Sequence, residues 1–174
     1  MKIALIPGSF KPPHRGHYEM IHYYSNLVGN DGKVIVFVSD PKQKVRMIDD
    51  TRFVTADVSI KILQKYCENL KNVEIRKSEV SPVTDCYEFA KVAGEVEIIP
   101  GASNKGKDVS RWKNMQAWLI KNGSRAKIIN HIAPVTDELS SSDFRNAIAH
   151  NDLISIQKFI PKNIELRELL SLIS

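Results

Sequence analysis

Cysteine is scarce in this 174-residue chain: Cys67 and Cys86 form no CxxC pair and stand near no histidine cluster. That argues against a disulfide scaffold and a zinc site and fits a reducing compartment. Long apolar runs are also missing. The opening run Ile3-Ala4-Leu5-Ile6 stops at Pro7-Gly8, too short for a signal peptide or a membrane span, so a cytoplasmic chain with no membrane partner is expected. Aromatics reach only 7%, and Gly and Pro number eight each. With 43% hydrophobic and 26% charged residues, this composition excludes collagen-like, low-complexity and wholly disordered chains. No internal repeat is visible. The length suits a single domain over residues 1–174, with a core of about 1–150 and a helical tail of about 151–174.

The net charge of +5 is unevenly spread. Between Gly101 and His131 stand seven basic residues (Lys105, Lys107, Arg111, Lys113, Lys121, Arg125 and Lys127) against one acid, Asp108. Such a window can face nucleic acid, a phosphorylated small molecule or plain water. It gains meaning only beside other phosphate chemistry.

Short β-rich runs alternate with longer amphipathic ones. Strands are expected at Lys2–Ile6, Gly32–Ser39, Val73–Arg76, Glu95–Ile99 and Ala126–Asn130. Helical faces run through His17, Met20, Ile21, Tyr24 and Val28, through Val58, Ile62, Tyr66 and Leu70, and through Val109, Trp112, Met115 and Leu119. After Ser140 only helix is expected, over Phe144–His150, Leu153–Ile160 and Ile164–Ile173. Strands alternating with helices predict an α/β fold: an open parallel sheet of about five strands, helices on both faces and a helical C-terminal tail.

The stretch Gly8-Ser9-Phe10-Lys11-Pro12-Pro13-His14-Arg15-Gly16-His17 follows the first strand and opens the first long helix. Ligands of open parallel sheets bind at such junctions, where free N–H groups and the helix dipole attract phosphate. Gly8 permits close backbone approach, and the Ser9 hydroxyl suits a phosphate oxygen. His14 and His17, three apart at a helix start, can address one anion, with Gly16 leaving room beside them. Near the other end, Ser140-Ser141-Ser142-Asp143-Phe144-Arg145 places three hydroxyls and an arginine at another helix start, suited to capping and to phosphate.

These two segments, about 125 residues apart, resemble the signatures of the HxGH nucleotidyltransferases, a Rossmann-like family that shares its signature with class I aminoacyl-tRNA synthetases. The form Gly8-x-Phe10-x-Pro12-x-His14-x-Gly16-His17 is most similar to the nicotinamide mononucleotide adenylyltransferases, and phosphopantetheine adenylyltransferases and glycerol-3-phosphate cytidylyltransferases carry related versions. The resemblance implies transfer of a nucleoside monophosphate from a nucleoside triphosphate to a phosphorylated small-molecule acceptor, with Mg²⁺ carried by the triphosphate and no metal site in the protein. It implies His14 and His17 as catalytic residues, and Gly8, Ser9, Phe10, Gly16, Ser140, Ser141, Ser142 and Arg145 as nucleotide-binding. Lys11, Lys42, Lys44, Lys105 and Lys107 are candidates for substrate or phosphate contact. It also implies that the base is read by backbone in Ile132–Asp137, which favours ATP; CTP with a phosphorylated alcohol is the alternative. A homo-oligomer remains open.

Other features argue less. Gly101-Ala102-Ser103-Asn104-Lys105-Gly106-Lys107 has Walker A spacing, but Asp108 stands where Ser or Thr should hold magnesium. Trp112 and Trp118 can stack on a base, yet Trp112 at helical spacing fits a core better. His22, His131 and His150 have no partners at useful spacing. A nucleic-acid-binding module on the 101–131 segment lacks interleaved aromatics, so nucleic acid is not expected as a partner. The chain is too short for a complete synthetase.

Overall fold

A computed structural model of the chain describes residues 1–40, 45–104, 108–134 and 138–173. The first strand, β1 (Lys2–Gly8), leads into α1 (Arg15–Val28) and β2 (Lys33–Ser39). A two-stranded antiparallel hairpin follows, β3 (Arg46–Met47) and β4 (Phe53–Val54), before α2 (Ala56–Tyr66) and β5 (Val73–Ser78). The chain continues through α3 (Pro82–Val92), β6 (Glu97–Pro100), β7 (Ala102–Ser103), a 3₁₀ turn at Ser110–Trp112 and α4 (Met115–Lys121). It ends with β8 (Lys127–Ile128), β9 (Ile132–Ala133), α5 (Ser141–Ala149), α6 (Leu153–Lys158) and α7 (Leu166–Ile173).

The expected five-stranded parallel sheet is present, in the order β5-β2-β1-β6-β8. Its central strands are buried on both faces, which explains why Ile3–Ile6 and Val34–Val38 are continuous apolar runs rather than alternating ones. Alternation sorts the side chains. Ala4, Ile6, Val34, Val36 and Val38 face α1, α2 and the C-terminal helices, whereas Ile3, Leu5, Ile35 and Phe37 face α3 and α4. The tail belongs to the first of these layers: Ile156, Ile160, Ile164, Leu169 and Ile173 are buried in the same cluster as Ile6 and Tyr24. Each such side chain contributes roughly 1.5–3 kcal/mol by leaving water.

Strand order reverses between β1 and β6, so the crevice at their C-terminal ends is where an open sheet of this kind binds ligands. Tyr24 buttresses that crevice from α1. Its buried hydroxyl lies 2.8 Å from the Ala102 carbonyl and 2.6 Å from that of His131, and accepts from the Ala102 N–H at 3.0 Å. One side chain thereby ties α1 to the β7–β9 pair.

Three details differ from the sequence expectation. Helix α3 was not expected; its buried stripe holds only Cys86 and Ala90, too small to register as an amphipathic face, although Ser81 caps it and Pro82 opens it. The face drawn through Val109, Trp112, Met115 and Leu119 is not one helix but a 3₁₀ turn followed by α4, with Val109 exposed. The short β3–β4 and β7–β9 pairs carry too few residues for a periodic signal. Among the described residues no helix is long and apolar enough to cross a membrane.

Candidate active site

The loop from Ser9 to His14 crosses the C-terminal end of β1. Phe10 adopts a left-handed backbone (φ 53°) and is buried, with its ring folded back over Gly8. A Cβ at Gly8 would lie 2.7 Å from the Phe10 ring, so the room that Gly8 provides is taken by this phenyl group. From beneath, the loop's carbonyls are held by α2. The Tyr66 hydroxyl donates to the Pro13 carbonyl at 3.0 Å, and the Ser59 hydroxyl donates to that of Phe10. Neither Ser59 nor Tyr66 was singled out from the sequence as a site-supporting residue. Burial pushes the Tyr66 phenol well above its ordinary pKa, keeping it a neutral donor.

His14 is the N-cap of α1, and its Nδ1 accepts from the Gly16 N–H at 3.1 Å. His17 answers: its Nδ1 accepts from the His14 N–H at 3.1 Å. The pair forms a capping box built from two imidazoles, which satisfies two helix-start donors reciprocally. The rings stack with centroids 3.7 Å apart and 20° between their planes, and the Phe10 ring meets His17 edge-on at 4.8 Å. Because both Nδ1 atoms accept from backbone, the hydrogen-bond pattern assigns the proton of each neutral ring to Nε2. Gly16 makes space for this arrangement. A Cβ there would lie 3.0 Å from the His14 ring, so the glycine leaves room for the imidazole.

Helix α5 docks on the same loop. Ser140 caps it by accepting from the Asp143 N–H at 3.1 Å, the Ser141 hydroxyl donates to the Pro12 carbonyl at 2.9 Å, and Ser142 is exposed. Arg145 donates from a terminal guanidinium nitrogen to the Lys11 carbonyl at 2.5 Å. The three serines thus divide the work into capping, stapling and facing out. The two motifs, 129 residues apart at Ser141 and Pro12, meet directly.

Lys11 is 3% exposed, and its ammonium lies 3.0 Å from the Ser9 carbonyl and 2.5 Å from that of Ser39. It joins the ends of β1 and β2. Burial lowers its pKa first of all; Asp40 opposes the shift and Arg46 adds to it. Ser9 itself is exposed. Lys42, Lys44, Lys105 and Lys107 lie outside the described residues, as do Val135 to Asp137 of the proposed base-reading stretch.

Trp112 is a core residue, 5% exposed, with its indole N–H donated to the Gly101 carbonyl at 3.0 Å. Asp108 accepts from the Ser103 hydroxyl at 3.0 Å and pairs with Arg111 at 3.4 Å, closing its loop. Arg111, Lys113, Lys121, Arg125 and Lys127 of the basic window are all exposed, and Arg125 pairs with Glu95. A cleft of about 380 Å³ opens beside the crevice, between Pro100 and Trp112 on one side and Asn130 to Ile132 on the other. A larger one of about 710 Å³ lies at the opposite end of the sheet around Asn26, Gly32 and Asn72, away from both motifs. Among the described residues no three His, Cys, Asp or Glu side chains converge as a metal site.

A parallel sheet with a histidine pair at its first strand–helix junction, and a serine–arginine helix stapled to the same loop, defines a Rossmann-like protein of the HxGH type. The chain belongs to the cytidylyltransferase-like family, whose model matches residues 5–158. It is 26% identical over 121 residues to a probable nicotinate-nucleotide adenylyltransferase of Fusobacterium nucleatum, covering 68% of this chain and 60% of that protein. A protein of the same name from Caldicellulosiruptor bescii is 31% identical over 116 residues, covering 65% of this chain and 58% of that one. The chain therefore spans about three-fifths of the length of these relatives. The structure of Thermotoga maritima TmcAL bound with alpha-thio ATP matches 98% of this chain and 55% of that one, with a TM-score of 0.58 and 11% identity. This last likeness concerns the fold alone.

Proposed function

We propose that the chain is a nucleotidyltransferase that moves AMP from ATP to a phosphorylated acceptor, a pyridine mononucleotide first among those to test, and releases pyrophosphate. The observation that carries this reading is the stacked His14–His17 pair, with both Nδ1 atoms held by backbone and docked against the loop that Ser141 and Arg145 grip. The names of the curated relatives support adenylyl transfer.

In this reading an acceptor phosphate oxygen attacks the α-phosphorus in line. The bond from that phosphorus to the bridging oxygen breaks, and pyrophosphate leaves with the electron pair. No covalent enzyme intermediate is needed, so the protein positions the reactants and stabilises developing charge. His14 and His17 would donate through Nε2 to the α-phosphate and the bridging oxygen. Ser9 would hold the α-phosphate, and Ser142 and Arg145 the outer phosphates, while Ser141 keeps its hydroxyl on the Pro12 carbonyl. Among the described residues no cluster of acidic side chains stands at the loop to hold a metal, so a magnesium ion would arrive on the triphosphate, where it would neutralise charge.

The test is a pyrophosphate-release matrix of four nucleoside triphosphates against a panel of phosphorylated acceptors. The expected result is turnover in one ATP row. Absence of turnover in every combination contradicts the reading.

A further inference from the structure

The β3–β4 hairpin plays no part in either motif, yet it brings another cation to the loop. It is firmly seated: Ile48 and Val54 are buried, the Ile48 N–H donates to the Arg52 carbonyl at 2.8 Å, and Arg52 pairs with Asp49 at 2.6 Å. Arg52 also reaches the Ile148 carbonyl of α5 at 3.4 Å, which ties the hairpin to the helix carrying Arg145. Met47 and Phe53 face each other in register and are about half exposed, so they form the outer face. Arg46 is in register with fully buried Val54 and so lies on the hairpin face opposite to Met47 and Phe53.

The two arginines of the hairpin differ in kind. Arg52 is built into the turn, whereas Arg46 is exposed and makes no hydrogen bond or ion pair among the described residues. Its charge nevertheless acts on both Lys11 and Arg145. Three like charges therefore converge on one loop. The acid acting on Lys11, Asp40, also lies 3.8 Å from the Lys77 ammonium. Convergent cations with so little counter-charge repel one another until an anion joins them.

We propose that Arg46 is a phosphate-binding residue, delivered by the hairpin to the outer phosphates that Arg145 faces. The inference rests on the nucleotidyltransferase reading and adds to it a third element that closes the phosphate site. The hairpin's anchoring to α5 keeps Arg46 and Arg145 in step.

The probe is inorganic pyrophosphate, titrated calorimetrically into the wild-type protein, Arg46→Ala, Arg46→Lys and Arg125→Gln. The last removes a positive charge far from the loop. Arg46→Ala should bind pyrophosphate and ATP about ten- to hundredfold more weakly, as expected for loss of a charge-assisted contact. Arg46→Lys should recover only part of this, because an ammonium lacks the planar fork. Arg125→Gln should bind as wild type does. Without ligand, Arg46→Ala should melt no lower than wild type, since it relieves repulsion; a purely structural arginine would give the opposite sign.

Equal pyrophosphate binding by Arg46→Ala and wild type overturns the proposal and leaves the nucleotidyltransferase reading standing. So does a loss confined to a nucleoside monophosphate acceptor, which would move Arg46 to the acceptor side. A wild-type protein that binds neither pyrophosphate nor any nucleoside triphosphate overturns both.

Discussion

Replacing His17 separates its two jobs. Its Nδ1 caps the His14 N–H at 3.1 Å, and its ring stacks on His14 at 3.7 Å. In His17→Ala the cap is lost, at a cost of about 1 kcal/mol in stability. In His17→Asn the side-chain oxygen stands where Nδ1 stood, so the cap survives, but nothing reaches the position of Nε2. If Nε2 donates to the reacting phosphate, both variants should lose about two to four orders of magnitude in turnover, or roughly 3–5 kcal/mol of transition-state stabilisation. Thermal melts of both proteins, read beside steady-state pyrophosphate release, give the split. His17→Asn should melt near wild type and be almost inactive. A folded His17→Asn protein with near-normal turnover would refute the assignment and leave His17 as a helix cap alone.

Arg145→Lys should not restore turnover, because one ammonium cannot hold the Lys11 carbonyl and fork onto a phosphate together; wild-type kinetics in Arg145→Ala would reduce the serine segment to a cap. Tyr66→Phe leaves the Pro13 carbonyl without its donor and should cost about 1–2 kcal/mol, seen as a drop of about 2–8 °C in melting temperature; an unchanged melt would show that the loop needs no support from α2. The Cys67 thiol, pushed by burial up to about 12, is neutral at pH 8, and burial raises Cys86 as well. A disulfide reagent at pH 8 should therefore label neither thiol in the native protein and both after denaturation. Rapid native labelling of Cys67 would contradict its placement.

What was legible in the sequence was short-range or repetitive. The runs Ile3–Ile6 and Val34–Val38 announce buried parallel strands, and His14 to His17 announce a helix start at the end of the first. The reciprocal cap was not legible, because histidine is not a usual capping residue and only the geometry reveals Nδ1 as an acceptor. The serine segment announces a helix cap, which Ser140 supplies, but its sequence does not show that the Ser141 hydroxyl is donated to the Pro12 carbonyl. Ser59 and Tyr66 act across 49 and 53 residues of chain, and no local pattern marks such partners. Helix α3 escaped for a different reason: Cys86 and Ala90 bury too little surface to stand out.

The central claim is that the α-phosphoryl group of ATP moves to an acceptor. It is tested by following two labels in parallel reactions with the best acceptor, one on the α-phosphorus and one on the γ-phosphorus. The account predicts that the α label appears in a new, acceptor-dependent nucleotide while the γ label leaves in pyrophosphate, at equal rates. Release of the γ label as inorganic phosphate, with the α label left in ADP, would contradict it.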